Sequence, residues 1–100
     1  MKTTFNEENN DYVMYFEGRL DTAVAATVEK ELQPLADCNG HDIVLECSRL
    51  EYISSSGLRL FLKVLKNAKA VGSHVYIKGL NDNIRQVFAM TGFIGLFEYK

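Results

Sequence analysis

The sequence predicts an α/β fold: one domain in which a mixed, mostly parallel sheet of four to five strands packs with about three main helices. Short runs typical of strands alternate along the chain with segments whose apolar residues recur every three or four positions. Two strand-like runs open the chain with no helix between them, which indicates an antiparallel N-terminal hairpin. Because 100 residues, 47% of them hydrophobic, suffice for one core of ordinary size, we expect a single domain over residues 1–100.

The chain begins with the hairpin and a first helix. Lys2–Glu7 and Tyr12–Glu17 have strand character, and turn-forming residues separate them. Asp21 is the expected N-cap of the helix that follows. Pro34 lies inside the helical pattern, and since a proline removes a backbone donor, we expect the helix to kink or weaken before it ends at residues 39–40. The apolar face of this helix comprises Val24, Val28, Leu32 and Leu35.

A central strand and a second helix come next. Asp42–Cys47 is a short apolar run between turn formers, which is typical of a strand covered on both faces. Residues 48–58 are expected to form the loop that leaves this strand. The second helix follows the serines at 54–56 and ends at Gly72, with its basic residues on other faces than the apolar ones. Its apolar positions are Leu58, Phe61, Leu62, Leu65 and Ala68.

The rest of the chain predicts another strand, a third helix and a closing tail. His74–Lys78 has strand character, and Asn81 is the expected cap of a helix that ends at Thr91–Gly92. Phe93–Tyr99 is an apolar tail. We expect this tail to pack on the sheet rather than form a patch for self-association.

Charge and composition exclude several function classes. Eleven basic and thirteen acidic residues leave a net charge of -2, so no overall field attracts nucleic acid or an anionic membrane, and a protein partner is expected. No apolar run approaches the ~20 residues that span a bilayer, and the polar start is unlike a signal peptide, which predicts a cytoplasmic protein. Cys38 and Cys47 are too far apart for a metal or redox motif. We expect two reduced thiols, with Cys47 in the core and Cys38 exposed, and neither a metal nor a cofactor.

The start of the second helix is the candidate site. In alternating α/β chains, the segments after the carboxyl ends of strands commonly carry function. Capping needs one hydroxyl, whereas Ser54, Ser55 and Ser56 supply three. Gly57 is interpreted as leaving room for another molecule to approach these serines. A phosphate here would lie at a helix amino terminus, which favours an anion, so modification should alter binding rather than unfold the chain.

Taken together, these segments resemble the STAS domain of bacterial anti-sigma-factor antagonists. The resemblance spans nearly the whole chain, and the segments follow the order and spacing of that family. They are Gly18–Asp21, the strand Asp42–Cys47, Leu50–Arg59, Gly79–Asn81 and the stretch from Val87–Phe88 to Gly92–Phe93.

The resemblance implies a phosphorylation switch. In that family, the serine directly before the glycine is phosphorylated by a partner that is both a serine kinase and an anti-sigma factor. Here that serine is Ser56, with Ser55 as the fallback. The unphosphorylated antagonist binds the anti-sigma factor, and a PP2C-type phosphatase resets the phosphorylated form. Many members have an aspartate where this chain has Ser54, which keeps open a STAS scaffold that assembles without being phosphorylated.

The remaining functional expectations concern the partner surface and the question of catalysis. The expected partner-binding residues are Asp21, Ser54, Ser55, Ser56, Gly57 and Arg59. Arg59 is interpreted either as pairing with a phosphate or carboxylate, or as a solvated basic residue. The chain lacks a phosphate-binding loop and a G-x-S-x-G elbow, and His41 and His74 are predicted at the end of the sheet opposite the serines. We therefore expect a binding module that is not an enzyme, present as a monomer or weak dimer.

Overall fold

A computed structural model, which describes residues 1–38 and 40–100, confirms the predicted fold class. Its five strands form one sheet in the order β1-β2-β3-β4-β5. The first pair is antiparallel and the others are parallel. The strands are β1 (Lys2–Glu8), β2 (Asp11–Leu20), β3 (Ile43–Ile53), β4 (Val75–Lys78) and β5 (Glu98–Tyr99). The helices are α1 (Thr22–Glu31), α2 (Gln33–Ala36), α3 (Ser55–Ala70) and α4 (Asp82–Met90), with a 3-10 turn at Ile94–Leu96.

The hairpin turn is tighter than the sequence indicated. Asn9 and Asn10 both have positive φ angles, 51° and 68°, so a two-residue turn joins β1 to β2. This geometry matches the twist of antiparallel strands, and asparagine tolerates it better than most residues.

Pro34 divides the first predicted helix in two. Helix α1 ends at Glu31, and α2 begins at Gln33 with the proline in its first turn, where the missing N–H removes no helical bond. The expected kink is therefore a break. Helix α2 ends at Ala36, and residue 39, to which the sequence extended the helix, lies outside the described residues.

One core joins the helices to one face of the sheet. Ile43, Leu45 and Cys47 of β3 point into this core and are fully buried. On the opposite face of the same strand, Ser48 is exposed and Glu46 pairs with Lys78 of β4 at 3.9 Å. The helices cover only the first face, but Val44 on the opposite face is also buried, at 7% exposure, so both faces of the predicted run are largely covered. The central place of β3 in the sheet is confirmed.

Two further expectations are corrected by packing. Residues 48–53 belong to β3 and not to a loop, because β2 continues to Leu20 and the two strands stay paired as far as Ile53. Cys38 is buried rather than exposed, since the chain after α2 turns inward and places its Sγ 3.5 Å from Ser73 Oγ. Cys47 is buried as expected, and burial, with a smaller contribution from Glu46, raises the pKa of its thiol.

The closing tail packs on the core. Phe97 is buried, with its ring 5.9 Å from that of Phe88 in α4. Gly79, between β4 and α4, has a φ of +80° and lies against Ser48, whose Cα would be 2.9 Å from an added Cβ. Among the helices of the described ranges, none combines the length and apolar character needed to cross a bilayer.

Candidate functional site

Three helices start where the parallel strands β2, β3 and β4 end, and a side chain caps each of them. The side of the sheet at these carboxyl ends is called this edge below, and it is distinct from the outer strands β1 and β5. The cap residues are Asp21 for α1, Ser54 for α3 and Asn81 for α4, as the sequence predicted for Asp21 and Asn81. Each side-chain oxygen accepts a hydrogen bond from the amide three residues further on, at 3.2, 3.2 and 2.8 Å respectively. The amino-terminal ends of three helices therefore face the same side of the molecule, where their dipoles favour negative charge.

Ser54 has a structural role at this edge. Its N–H donates to the Leu20 carbonyl at 2.9 Å, its Oγ accepts from the Gly57 amide, and the residue is only 8% exposed. Leu20 and Ile53 are partners in the parallel pair, so Asp21 and Ser54 follow side by side. Their backbones are separated by about 4.8 Å, the usual spacing between neighbouring strands. The Ser54 hydroxyl therefore stabilises the start of α3.

Gly57 faces the core and not a partner. It is buried, and an added Cβ would lie 2.7 Å from Leu20 Cγ and 2.8 Å from Ile53 Cγ1. The glycine lets the first turn of α3 approach the ends of β2 and β3 closely. The interpretation that it opens space for another molecule was wrong in its reason, because the space that it leaves is filled by the protein itself.

Ser55 and Ser56 remain available for interaction. Both lie in the first turn of α3, Ser55 exposed and Ser56 half-buried. Neither hydroxyl has a hydrogen-bonding partner within the described ranges. Arg59 follows three and four positions later and is exposed, so it lies on the same helix face as the two serines. Of the predicted surface, these three side chains and Asp21 are the ones that another molecule can reach.

A cation-aromatic pair that no sequence pattern had indicated lies beside these helix starts. The Arg19 guanidinium lies 4.4 Å from the centre of the Tyr52 ring, and Tyr52 is 39% exposed. The two residues are register partners on β2 and β3, directly before the strands reach Asp21 and Ser54. The position of Tyr52, two residues before the capping serine, could have pointed to this pair. Its exposure, however, follows from β3 continuing to Ile53, which the sequence did not predict.

The histidines lie away from the serines. His41 and His74 precede β3 and β4, at the opposite end of the parallel strands. The Nδ1 atom of His41 is 2.7 Å from the Asn10 carbonyl oxygen, and that of His74 is 2.7 Å from a Glu98 carboxylate oxygen. Neither ring can therefore take a proton from Ser55 or Ser56. Across the described part of the chain, no three His, Cys, Asp or Glu side chains come together as a metal site.

The fold and this edge define a class of protein: a small α/β domain that presents two unengaged serines at a helix start. The family model of the STAS domain matches residues 2–100, and the chain belongs to this family. The resemblance seen in the sequence is thereby confirmed.

Two relatives and one solved structure illustrate the relationship. BtrV of Bordetella bronchiseptica, named as an anti-sigma factor antagonist, is 33% identical over 97% of this chain and 84% of its own length. The anti-sigma-B factor antagonist of Staphylococcus aureus is 32% identical over 75% of this chain and 69% of its own. The Bacillus cell fate determinant SpoIIAA in its phosphorylated form superposes with a TM-score of 0.73. It shares 18% identity over 99% of this chain and 91% of that one, a likeness that concerns the fold alone.

Proposed function

We propose that this chain is an anti-sigma-factor antagonist that binds an anti-sigma factor when unphosphorylated and is released when Ser56 is phosphorylated. The relatives named above carry the antagonist function in their names, and a STAS protein of the same fold is known in a phosphorylated form. In this proposal the chain is a cytoplasmic binding module without catalysis of its own. The anti-sigma factor is also the serine kinase, and a PP2C-type phosphatase restores the unmodified form.

The observation that carries the proposal is the division of roles among the three serines. Ser54 caps α3, so the fold does not need the hydroxyls of Ser55 and Ser56. A phosphate on Ser56 would add about -1.5 to -2 charges in the first helical turn, where the dipole and free N–H groups favour an anion. The domain is therefore expected to stay folded after modification.

The effect of the phosphate falls on the partner. Asp21 already places a carboxylate at this edge, so the local surface presented by a phosphorylated Ser56 becomes strongly negative. A partner that packs closely against α3 must then desolvate a dianion, which is costly unless a cation compensates it. Arg59 on the same helix face and the Arg19–Tyr52 pair at the strand ends border the contact surface and are expected to contribute to it.

Mass spectrometry of the protein from its native host tests the modification. One phosphate on Ser56, found by mapping residues 48–63 and lost in Ser56→Ala but kept in Ser55→Ala, supports the proposal. Binding to the anti-sigma factor should weaken at least tenfold in Ser56→Asp and much less in the matched variant Ser55→Asp. Absence of phosphate across growth and stress conditions, together with unchanged binding by Ser56→Asp, would contradict it.

A STAS scaffold that assembles without phosphorylation is the second candidate. It is favoured by Ser54, which keeps the capping bond at 3.2 Å but does not supply the carboxylate that many family members have there. Restoring the charge with Ser54→Asp distinguishes the two candidates. If only the variant is phosphorylated by an anti-sigma kinase, while wild type and variant bind partners equally, the scaffold is the better description.

A further inference from the structure

Strand β1 forms a long free edge of the sheet. It spans Lys2–Glu8 and pairs only with β2 among the described residues. The opposite edge, β5, has only two residues. Phe5, in the middle of β1, is 37% exposed and contacts the Tyr12 ring edge-on at 5.2 Å. Unpaired strand edges present backbone groups that another strand can bind.

The backbone groups that β1 offers can be assigned from its neighbour. The Tyr12 N–H donates to the Asp42 carbonyl at 2.9 Å, so Tyr12 directs its backbone toward β3 and away from β1. In an antiparallel pair the residue opposite such a position directs its own N–H and C=O outward. Tyr12 lies opposite Glu7, and Phe5 and Thr3 follow in the same phase. The free edge therefore offers the backbone groups of these three residues.

The sequence of β1 is complementary to itself in one antiparallel register. When Phe5 is placed opposite Phe5 of a second copy, Lys2 lies opposite Glu8 and Thr4 opposite Asn6, each pair occurring twice by symmetry. Thr3 then lies opposite Glu7, so the outward-directed backbone groups of both strands meet. Shifting the register by two residues removes the Lys2–Glu8 pairs. A parallel arrangement places the acidic ends of both strands together, which is unfavourable.

We infer that β1 is the dimerisation edge of this protein and pairs antiparallel with β1 of a second copy in the register centred on Phe5. The sheet then continues through both copies, with the helices on the same face. Because the two β1 strands run in opposite directions, the helix starts that carry Ser56 lie at opposite ends of the joined sheet. Both therefore stay open to a partner. The inference is independent of the proposed function.

Sedimentation equilibrium on the full chain tests the pairing. One strand pair buries less than the standard interface of about 800 Å² per partner, so we expect a dissociation constant on the order of 100 µM. The average mass should rise from 11.3 kDa toward twice that value at millimolar protein. Lys2→Glu and Glu8→Lys each place like charges opposite each other at two symmetric positions and should weaken the dimer roughly tenfold. The combined variant restores opposite charges and should recover most of the affinity.

Controls separate the register from side effects. Glu8 also accepts a hydrogen bond from the Tyr15 hydroxyl at 2.5 Å, so Tyr15→Phe, which removes this bond without changing charge, should dimerise like wild type. Urea unfolding of each variant checks that the hairpin is intact. A chain that stays at 11.3 kDa up to about 1 mM overturns the inference. A dimer that is indifferent to both single changes, or that the combined variant does not recover, overturns it as well.

Discussion

Gly57→Ala tests whether the helix start is held by packing. In an open helix this change stabilises by up to about 1 kcal/mol, because alanine is the better helix former. Here the added methyl would lie 2.7 Å from Leu20 and 2.8 Å from Ile53, roughly 1 Å inside normal carbon contacts. Both neighbours are at most 2% exposed and cannot move into solvent. Overpacking of this kind costs about 1–3 kcal/mol, so we expect a net loss of about 1–2 kcal/mol.

Urea unfolding of wild type and variant measures this loss, provided that the slopes with denaturant agree. Gly95→Ala is the matched control, since no atom lies within 4 Å of its added Cβ, and it should leave stability within about 0.5 kcal/mol of wild type. A Gly57→Ala protein that is as stable as wild type or more stable would refute the packing argument. The role of Gly57 would then return to the surface, as the sequence first indicated.

Three further perturbations test individual contacts. Ser54→Ala should cost about 1 kcal/mol in urea unfolding through loss of the cap, whereas Ser55→Ala should cost less than about 0.5 kcal/mol. Gly79 and Gly92 have similar positive φ angles, +80° and +77°, but only at Gly79 would an added Cβ also clash with Ser48 of β3. Gly79→Ala should therefore lower the free energy of unfolding by about 1–3 kcal/mol more than Gly92→Ala, and equal losses would disprove the clash. Burial raises the pKa of Cys47, so above about pH 8.5 the unfolded thiol ionises while the native one stays protonated, and folding stability falls as pH rises. The free energy of unfolding of wild type and Cys47→Ala should be measured at several pH values from about 8.5 to 10. It should fall in wild type by up to ~1.4 kcal/mol per pH unit more than in Cys47→Ala, and an equal fall in both proteins would count against this reasoning.

Local patterns in the sequence predicted the elements but not all of their limits. The helical spacing in α3 and the caps at Asp21 and Asn81 are short-range signals, and the structure confirms them. The length of β3 was missed because Ser48, Arg49 and Glu51 interrupt the continuous apolar run that marked the start of the strand. The segment 48–53 remains a strand since β2 pairs with it up to Leu20, a contact between residues more than thirty positions apart.

The candidate site shows the same division between local and distant information. The chemistry of capping predicted that one of the three serines would be used by the fold, but only the hydrogen bond of the Gly57 amide identifies Ser54 as that serine. The role of Gly57 depends on Leu20 and Ile53, and the exposure of Tyr52 depends on the strand register. Such properties arise from tertiary packing, which periodicity within a single segment does not contain.

If Ser56 is phosphorylated as proposed, the contacts at this end of the sheet mean that the phosphate acts on the partner and not on the fold. The Ser54 N–H ties the end of β3 to the Leu20 carbonyl of β2, and Gly57 seats the first turn of α3 against the same two strands. Ser56 therefore projects from a turn fixed at several points, none of which involves its own hydroxyl. A phosphate added there has no internal bond to break and meets favourable helix-end electrostatics. The free-energy cost of the phosphate then arises mainly from its desolvation when a partner binds over it. Ser56→Asp, which mimics the charge, should therefore change the binding affinity far more than the free energy of unfolding.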